Sequence, residues 1–427
     1  MSFAASQQQA AAIRAATDWY RQRRRKQQVF RLFGFAGTGK STITRHVIEA
    51  LGLTLKERNC CGVGGVLFAA FTGKAASVMT RKGTPASTIH SLIYRVSEST
   101  PAEIQRVEEE LAGLRTQLGR MGPKAQAATE LRIRRLVQRV ARAYEPTFLL
   151  NSQSLVRDAE LIVLDEVSMV GRRIADDLLS FGKPVLVLGD PGQLGPISGS
   201  SAFTGAEPDV VLTEVHRQAG DSAILRLATM ARQCRSIPHG EHDPLVCKLR
   251  RAAVDAEYLL GCGQVICGRN GTRLLLNGAM RRAAGFPAPY PIGEGEKIIC
   301  LRNRHDLGLV NGTFVELRHV RDEGPLAFSA SIMTEDGQEI SGRLHLYKGH
   351  YDDHLAFDPD RARRDWRQKR GQVETVWGYA ITCHKAQGSQ WENVIVYDDG
   401  LGRTAEDRAR WLYTAITRAE RRLVILD

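Results

Sequence analysis

The sequence predicts an α/β protein built on open, parallel sheets, and three stretches carry that expectation. Gly34-Phe35-Ala36-Gly37-Thr38-Gly39-Lys40-Ser41 matches the pattern G-x-x-x-x-G-K-[ST] in full. The apolar run Val29 to Phe33 precedes it and a helix-like stretch, Ser41 to Leu51, follows, which is the strand–loop–helix context that a phosphate-binding loop needs. Leu161-Ile162-Val163-Leu164-Asp165-Glu166 is an apolar run ending in two acids and reads as a central parallel strand. Pro184-Val185-Leu186-Val187-Leu188-Gly189-Asp190 is a second such strand. At 427 residues the chain is longer than one hydrophobic core usually serves, so two or more domains are expected.

Taken in order, the loop comes first. Its glycines let the backbone wrap an anion with N–H groups pointing inward, and the helix N-terminus adds positive potential. Lys40 is placed to reach β- and γ-phosphates, and the Ser41 hydroxyl to bind Mg²⁺. The acids that end the second stretch fall at the C-terminal end of a strand, where open α/β sheets bind ligands. Asp165 is placed to hold the metal, directly or through water, and Glu166 to orient and deprotonate an attacking water. Past Asp190, Gln193 could sense a γ-phosphate, or belong to a plain turn rich in Gly and Pro. Arg217 and Arg418 are candidates to neutralise charge developing on a transferred phosphoryl group; taken singly, each reads as a surface salt-bridge arginine.

Two long stretches separate these motifs. Residues 96–150 read as two antiparallel helices: Ile104, Val107, Leu111, Leu114 and Leu118 repeat at spacings of three and four, Gly119 and Gly122-Pro123 interrupt them, and Ile133, Leu136, Val137 and Val140 follow with many arginines on the opposite face. Residues 291–350 read as strands: Lys297 to Leu301 and Thr313 to Leu317 flank Asn311-Gly312, a hairpin signal, and Ser329 to Met333 leads to Asp336-Gly337. Gln264 to Asn270 reads as a strand and a helix start, and Asp358 to Gly371 as a polar, Arg-rich linker.

Composition limits the classes. Apolar residues make up 43% and charged residues 25%, as in soluble globular proteins. No apolar run approaches the roughly 20 residues of a membrane span, and Met1 to Ser6 has no signal-peptide character, so a cytosolic location is expected. The eight cysteines form no C-x-x-C pair, which argues for reduced thiols over a zinc or redox site. The net charge of +12 suits a polyanionic partner. Basic clusters at Arg21 to Lys26, Arg132 to Arg142 and Arg361 to Arg370 read equally as solvated surface and as nucleic-acid contact.

With Phe71 to Ala76, Ser87 to Leu92, Leu188 to Ile197, Leu212 to Gln218, Tyr379 to Ser389 and Trp411 to Ala419 added, the ordered segments resemble superfamily 1 DNA helicases, specifically the RecD/Dda-like group of superfamily 1B. The resemblance runs from about residue 3 to Leu426. It implies two RecA-like domains with ATP in the cleft between them, the first supplying Lys40, Ser41, Asp165, Glu166 and Gln193 and the second supplying Arg217 and Arg418. It implies nucleotide contacts from Gly37, Thr38, Gly39, Lys40, Ser41, Thr42 and Gly388, and an adenine-reading glutamine for which Gln7 fits best by spacing, with Gln8 and Gln9 as neighbours in register. Metal ligation falls to Ser41 and Asp165. Single-stranded DNA would cross both domains on Thr72, Lys74, His90, Thr382, His384 and Lys385, with a weaker likeness at Asn270 and Arg273. Many relatives carry an acid at the position of Gln390, often assigned to the ribose.

The implied layout is a first domain from 1–94 and 153–212 with a helical or pin insertion at 95–152, and a second from 213–290 and 367–427 with a small β-barrel at 291–366. The implied activity is an ATP- and Mg²⁺-dependent DNA helicase moving 5′ to 3′, a stand-alone monomeric motor on single-stranded, forked or tailed duplex DNA, with replication or repair partners. The alternatives are a translocase or remodeller without processive unwinding, an RNA-directed motor, and a DNA-binding relative without activity. Intact Lys40, Asp165, Glu166, Gln193, Arg217 and Arg418 speak against the last.

Overall fold

The computed structural model describes residues 5–22, 27–55, 64–97, 101–118, 122–143, 147–196, 201–215, 222–286, 292–324, 327–335, 337–351 and 371–427. The first half of the chain runs α1 (Gln7–Arg21), β1 (Val29–Gly34), α2 (Lys40–Leu51), β2 (Val66–Ala70), α3 (Gly73–Arg81), β3 (Ala86–Thr88), α4 (Ile89–Ile93), β4 (Tyr94–Ser97), α5 (Pro101–Leu118), α6 (Pro123–Ala143), β5 (Thr147–Leu150), β6 (Leu161–Asp165), α7 (Arg172–Leu179), β7 (Val185–Gly189) and β8 (Val210–Leu212). Its sheet has the order β3-β2-β6-β7-β1-β8, every pair parallel. The central strands β6 and β7 are apolar up to their last residue because both faces are covered. Phe30, Leu32, Val163 and Leu186 pack on one side of the sheet, and Phe33, Ile162, Leu164 and Val187 on the other. Parallel strands bring the ends of β1, β6 and β7 to one edge, so the phosphate loop, Asp165-Glu166 and Asp190 meet there.

β4 and β5 form a separate antiparallel ribbon, Tyr94 opposite Leu150 and Ser97 opposite Thr147. The helical arm α5–α6 grows from it, with Leu111 and Leu136 buried between the helices. The residues of 96–150 read by themselves as helices alone, and only the family resemblance offered a pin there, since two four-residue strands beside long helices leave little pattern. On the arm, Arg132, Arg134 and Arg135 are exposed, and Arg132 pairs with Glu110 at 2.5 Å.

The second half runs α8 (Ala223–Arg232), β9 (Gly240–Asp243), β10 (Val246–Leu249), α9 (Ala256–Gly261), β11 (Gln264–Cys267), α10 (Asn270–Ala283), β12 (Lys297–Cys300), β13 (Phe314–Asp322), β14 (Ala327–Thr334), β15 (Glu339–Tyr347), β16 (Thr375–Trp377), β17 (Ala380–Thr382), α11 (Cys383–Ala386), β18 (Trp391–Tyr397), α12 (Ala405–Ile416) and β19 (Ala419–Leu426). Six strands order as β17-β11-β18-β19-β10-β9, parallel except for the β9–β10 pair.

The insertion is a five-stranded antiparallel sheet, β15-β14-β13-β12-β16. A single bridge between Leu346 and Val373 links the region of its two edges. Its last strand, Thr375–Trp377, lies beyond residue 366 and runs straight into β17, so the sheet shares a core with the parallel one: Ile298, Leu317 and Phe328 pack with Val265, Ile395 and Val424. Buried Arg281 of α10 pairs with buried Glu296 just before β12, and the Arg281 guanidinium lies 4.5 Å from the Trp377 ring centroid. The strands flanking Asn311-Gly312 do pair, Lys297 opposite Glu316. Their connection is longer than a tight hairpin and includes a helical turn, His305–Leu307. Much of the linker expected at Asp358 to Gly371, with Asp336 and the cluster from Arg361 to Arg370, lies outside the described residues.

Candidate nucleotide cleft and nucleic-acid groove

The phosphate loop takes the shape its glycines permit, with Gly37 at φ 79° and Gly39 at φ 84°, a region costly for residues with a Cβ. The Thr38 hydroxyl donates to Phe35 O at 2.8 Å. The Lys40 ammonium donates to Gly34 O at 2.6 Å and Phe35 O at 3.2 Å, folded back on its own loop.

Around the loop lies a cleft of about 360 Å³ lined from both halves of the chain. The first contributes Gly37, Thr38, Gly39, Lys40, Ser41, Thr42, Asp165, Glu166, Asp190 and Gln193; the second contributes Gly388, Gln390, Thr417 and Arg418. Arg418 is buried and donates to Thr414 O (3.0 Å) and Ser389 O (3.2 Å). Gln193 bridges the halves: with its amide nitrogen toward Glu166 it donates to Oε2 at 3.0 Å and its oxygen accepts from Arg418 Nη2 at 3.2 Å. Glu166 itself sits at φ 54°, a left-handed backbone for a non-glycine residue, the kind of strain that gathers at functional sites.

Burial pushes the pKa of both acids up. For Asp165 the Lys40 charge works against that rise; for Glu166 the Arg418 charge does, while Asp165 adds to it. A carboxylate made more basic by burial, beside a cation that keeps it in place, suits proton abstraction from water.

Gln7 is a correction. It is exposed and does not line the cleft. Gln9 is the buried glutamine, and its side chain donates to Thr38 O at 3.2 Å and accepts from the Ser6 N–H at 3.1 Å. Two positions along a helix turn a side chain by about 200°, so α1 can aim only one of the pair inward. The Ser6-x-x-Gln9 capping box was the signal in the sequence. Gln390, left outside the candidate set, lines the cleft, as does Asp190. Arg217 lies outside the described residues.

A second cavity, about 730 Å³, crosses the top of both halves. Thr72, Lys74 and His90 line it from the first, and Thr382, His384, Lys385 and Asn270 from the second. All six candidate contacts therefore share one groove. Thr72 also caps α3 by accepting from the Ala75 N–H at 3.2 Å. Burial lowers the pKa of His90 and of His384, which disfavours the charged form of both rings. Burial, with help from the nearby Arg273 charge, brings Lys385 down to about 8. Arg273 is buried, its Nε without a partner among the described residues.

Sequence reasoning missed an aromatic wall here. The His90 ring lies 5.8 Å from Phe71, 5.9 Å from Tyr94 and 5.6 Å from Phe148, and all four line the groove. Phe148 comes from the β4–β5 ribbon and keeps 43% of its surface exposed.

A family model described as an AAA domain matches residues 4–237, more than half of the chain, and one described as a UvrD-like helicase C-terminal domain matches residues 378–426. The chain belongs to the AAA-domain family. An ATP-dependent RecD2 DNA helicase from Deinococcus radiodurans is 26% identical over 302 residues, which cover 62% of this chain and 36% of that protein. The chain thus spans about a third of the length of this curated relative. Among solved structures, a Pif1 helicase from work on unwinding at forked dsDNA by two coordinating copies has a TM-score of 0.53 at 16% identity, covering 99% of this chain and 92% of that one. The Bacteroides Pif1 helicase in complex with ADP-AlF3 and ssDNA has a TM-score of 0.50 at 16% identity, covering 100% and 93%. These likenesses show the fold: two RecA-like domains. No helix among the described residues is long and apolar enough to cross a membrane.

Proposed function

We propose that this family member is an ATP- and Mg²⁺-dependent DNA helicase that moves 5′ to 3′ along single-stranded DNA and separates duplex strands. One observation carries the reading. The cleft and the groove are each lined by both RecA-like domains, so a change in how the domains meet alters both sites at once. ATP favours the closed arrangement when both walls touch it, and hydrolysis removes that preference.

In the cleft, the Gly37 to Thr42 amides and Lys40 would hold the triphosphate, Glu166 would take a proton from water, Gln193 would orient that water, and Arg418 would meet the charge developing on the phosphoryl group. Ser41 and Asp165 would hold Mg²⁺. A hydroxyl and one carboxylate fit an ion whose shell phosphates and water complete, and no cluster of three or more His, Cys, Asp or Glu forms an all-protein cage among the described residues. The ion, once bound, would offset phosphate charge. In the groove, hydroxyls and lysines hold phosphates without reading sequence and the aromatic wall offers stacking surfaces. The 5′-to-3′ direction rests on the family resemblance, as do forked or tailed DNA as substrate, a monomeric motor, and replication or repair partners.

The deciding experiment is strand displacement on forks bearing a 5′ or a 3′ tail, with Lys40→Ala as control. Displacement from the 5′ tail alone, lost in the variant, supports the reading. DNA-stimulated ATP turnover with no displacement on either substrate overturns it in favour of a translocase.

A further inference from the structure

The Asp190–Leu194 turn carries Gln193 and is held from the second domain at three points. The Tyr413 hydroxyl on α12 donates to Asp190 Oδ2 at 2.6 Å. Thr414 Oγ1, one residue on, accepts from the Leu194 N–H at 2.9 Å. Gln387 Nε2 donates to Leu194 O at 2.9 Å. Tyr413 makes one more contact that sets it apart: its hydroxyl accepts from the Ala36 N–H of the phosphate loop at 2.8 Å. A single oxygen therefore ties loop, turn and α12 together.

Everything around that oxygen is closed. Tyr413 is 2% exposed and Asp190 5%. The Tyr413 ring lies against Gly192, where a Cβ would stand 2.9 Å from Cε1. Asp190 Oδ1 is occupied by the Gly192 N–H at 2.9 Å. Beside Ala36, the Arg232 guanidinium of α8 covers the Phe35 ring at 3.5 Å. The phosphate loop is thus held by the second domain at Ala36 and Phe35.

We infer that Tyr413 is a positioning residue for phosphoryl transfer: its hydroxyl locks the phosphate loop to the Asp190–Leu194 turn and so places Gln193 between Glu166 and Arg418. The inference rests on the ATPase reading above. Tyr413 acts through Ala36 and Asp190, and it does not itself line the cleft. Removing the hydroxyl leaves a buried N–H and a buried carboxylate oxygen unpaired and lets the turn drift. Misplacement on the scale of an ångström costs a reaction about 100-fold. The amides of Gly37 to Thr42 stay in place, so nucleotide binding is spared.

The test is steady-state ATP turnover at saturating oligo-dT for the wild type, Tyr413→Phe, Asp190→Asn and the double variant, with Lys40→Ala as control. Phenylalanine keeps the ring on Gly192. The expected result is a kcat lowered roughly 10- to 100-fold with KM for ATP and ADP affinity nearly unchanged, a thermal midpoint lowered by a few degrees because buried groups lose their partner, and a double variant no worse than the poorer single one. An unchanged kcat in Tyr413→Phe overturns the inference. Parallel loss of kcat and ADP affinity overturns it too, because that pattern marks a structural role. Additive losses in the double variant, as from independent sites, also count against it. A wild type with no turnover above Lys40→Ala would instead sink the ATPase reading itself.

Discussion

Lys74 and Glu335 form an ion pair that joins the first domain to the inserted sheet beside the groove. Lys74 stands in the first turn of α3, and Glu335 in the turn between β14 and β15. The contact is not isolated: a Cβ on Gly73 would lie 2.8 Å from Val310 Cβ, in the loop between β12 and β13. The Lys74 side chain is 14% exposed and that of Glu335 34%, so the carboxylate holds the cation that a phosphate would need.

Neutralising that carboxylate frees the lysine. Partly exposed pairs are worth up to about 1 kcal/mol, so Glu335→Gln is expected to tighten oligo-dT binding up to about fivefold. Log affinity should also fall more steeply with log salt, by about 0.7 for one added phosphate contact. Fluorescence anisotropy across a salt series reads both. Unaltered affinity and slope would place the phosphate path away from Lys74.

Lys385 sets a pH dependence. Its free pKa is about 8, while a bound phosphate favours the ammonium and draws the pKa back up. Binding then takes up a proton whenever the free lysine is neutral. Affinity for single-stranded DNA should therefore hold steady below pH 7 and fall as the pH rises through 8 toward 9.5. Lys385→Arg, which stays charged, should flatten the profile. A wild-type curve flat to pH 9.5 would contradict this placement of the charge.

Arg418 offers three hydrogen-bond directions to fixed partners, Thr414 O, Ser389 O and the Gln193 amide. Lysine keeps the charge but not the planar fork. Arg418→Lys is expected to lower DNA-stimulated kcat on the order of 10³-fold, in the range of arginines that meet phosphoryl charge, with a smaller change in KM. A kcat within a few-fold of wild type would assign the role elsewhere.

Gln387 links the groove to the turn that carries Gln193. It lines the groove, donates to Leu194 O, and is 3% exposed with its carbonyl oxygen lacking a partner among the described residues. Gln387→Ala should therefore cut the stimulation of ATP turnover by DNA several-fold, with oligo-dT affinity less affected. Equal stimulation in both proteins, measured over an oligo-dT titration, would show that the groove signals by another route.

The phosphate loop, the acid-ended strand at Asp165-Glu166 and the apolar runs of β1, β6 and β7 could be read from the chain because each is local: a loop pattern or a buried strand imposes its residue types over a few neighbouring positions. The arm could be read for the same reason, as helical spacing repeats over many residues. The ribbon β4–β5 could not, and Phe148 was lost with it, since its neighbours His90 and Tyr94 lie more than fifty positions away along the chain. Gln9 was passed over because the choice among three consecutive glutamines depends on the helix's rotation about its axis, which packing sets.

The sequence by itself thus determined the kinds of element, their order, and the chemistry available at each strand end. Only the tertiary structure decided which distant groups share a site. Tyr413 meets Asp190 across 223 positions and Lys74 meets Glu335 across 261. Those pairings arise from how two separately folded sheets and an inserted third lie against one another, and no local pattern encodes the relative placement of surfaces that meet only after the chain has closed.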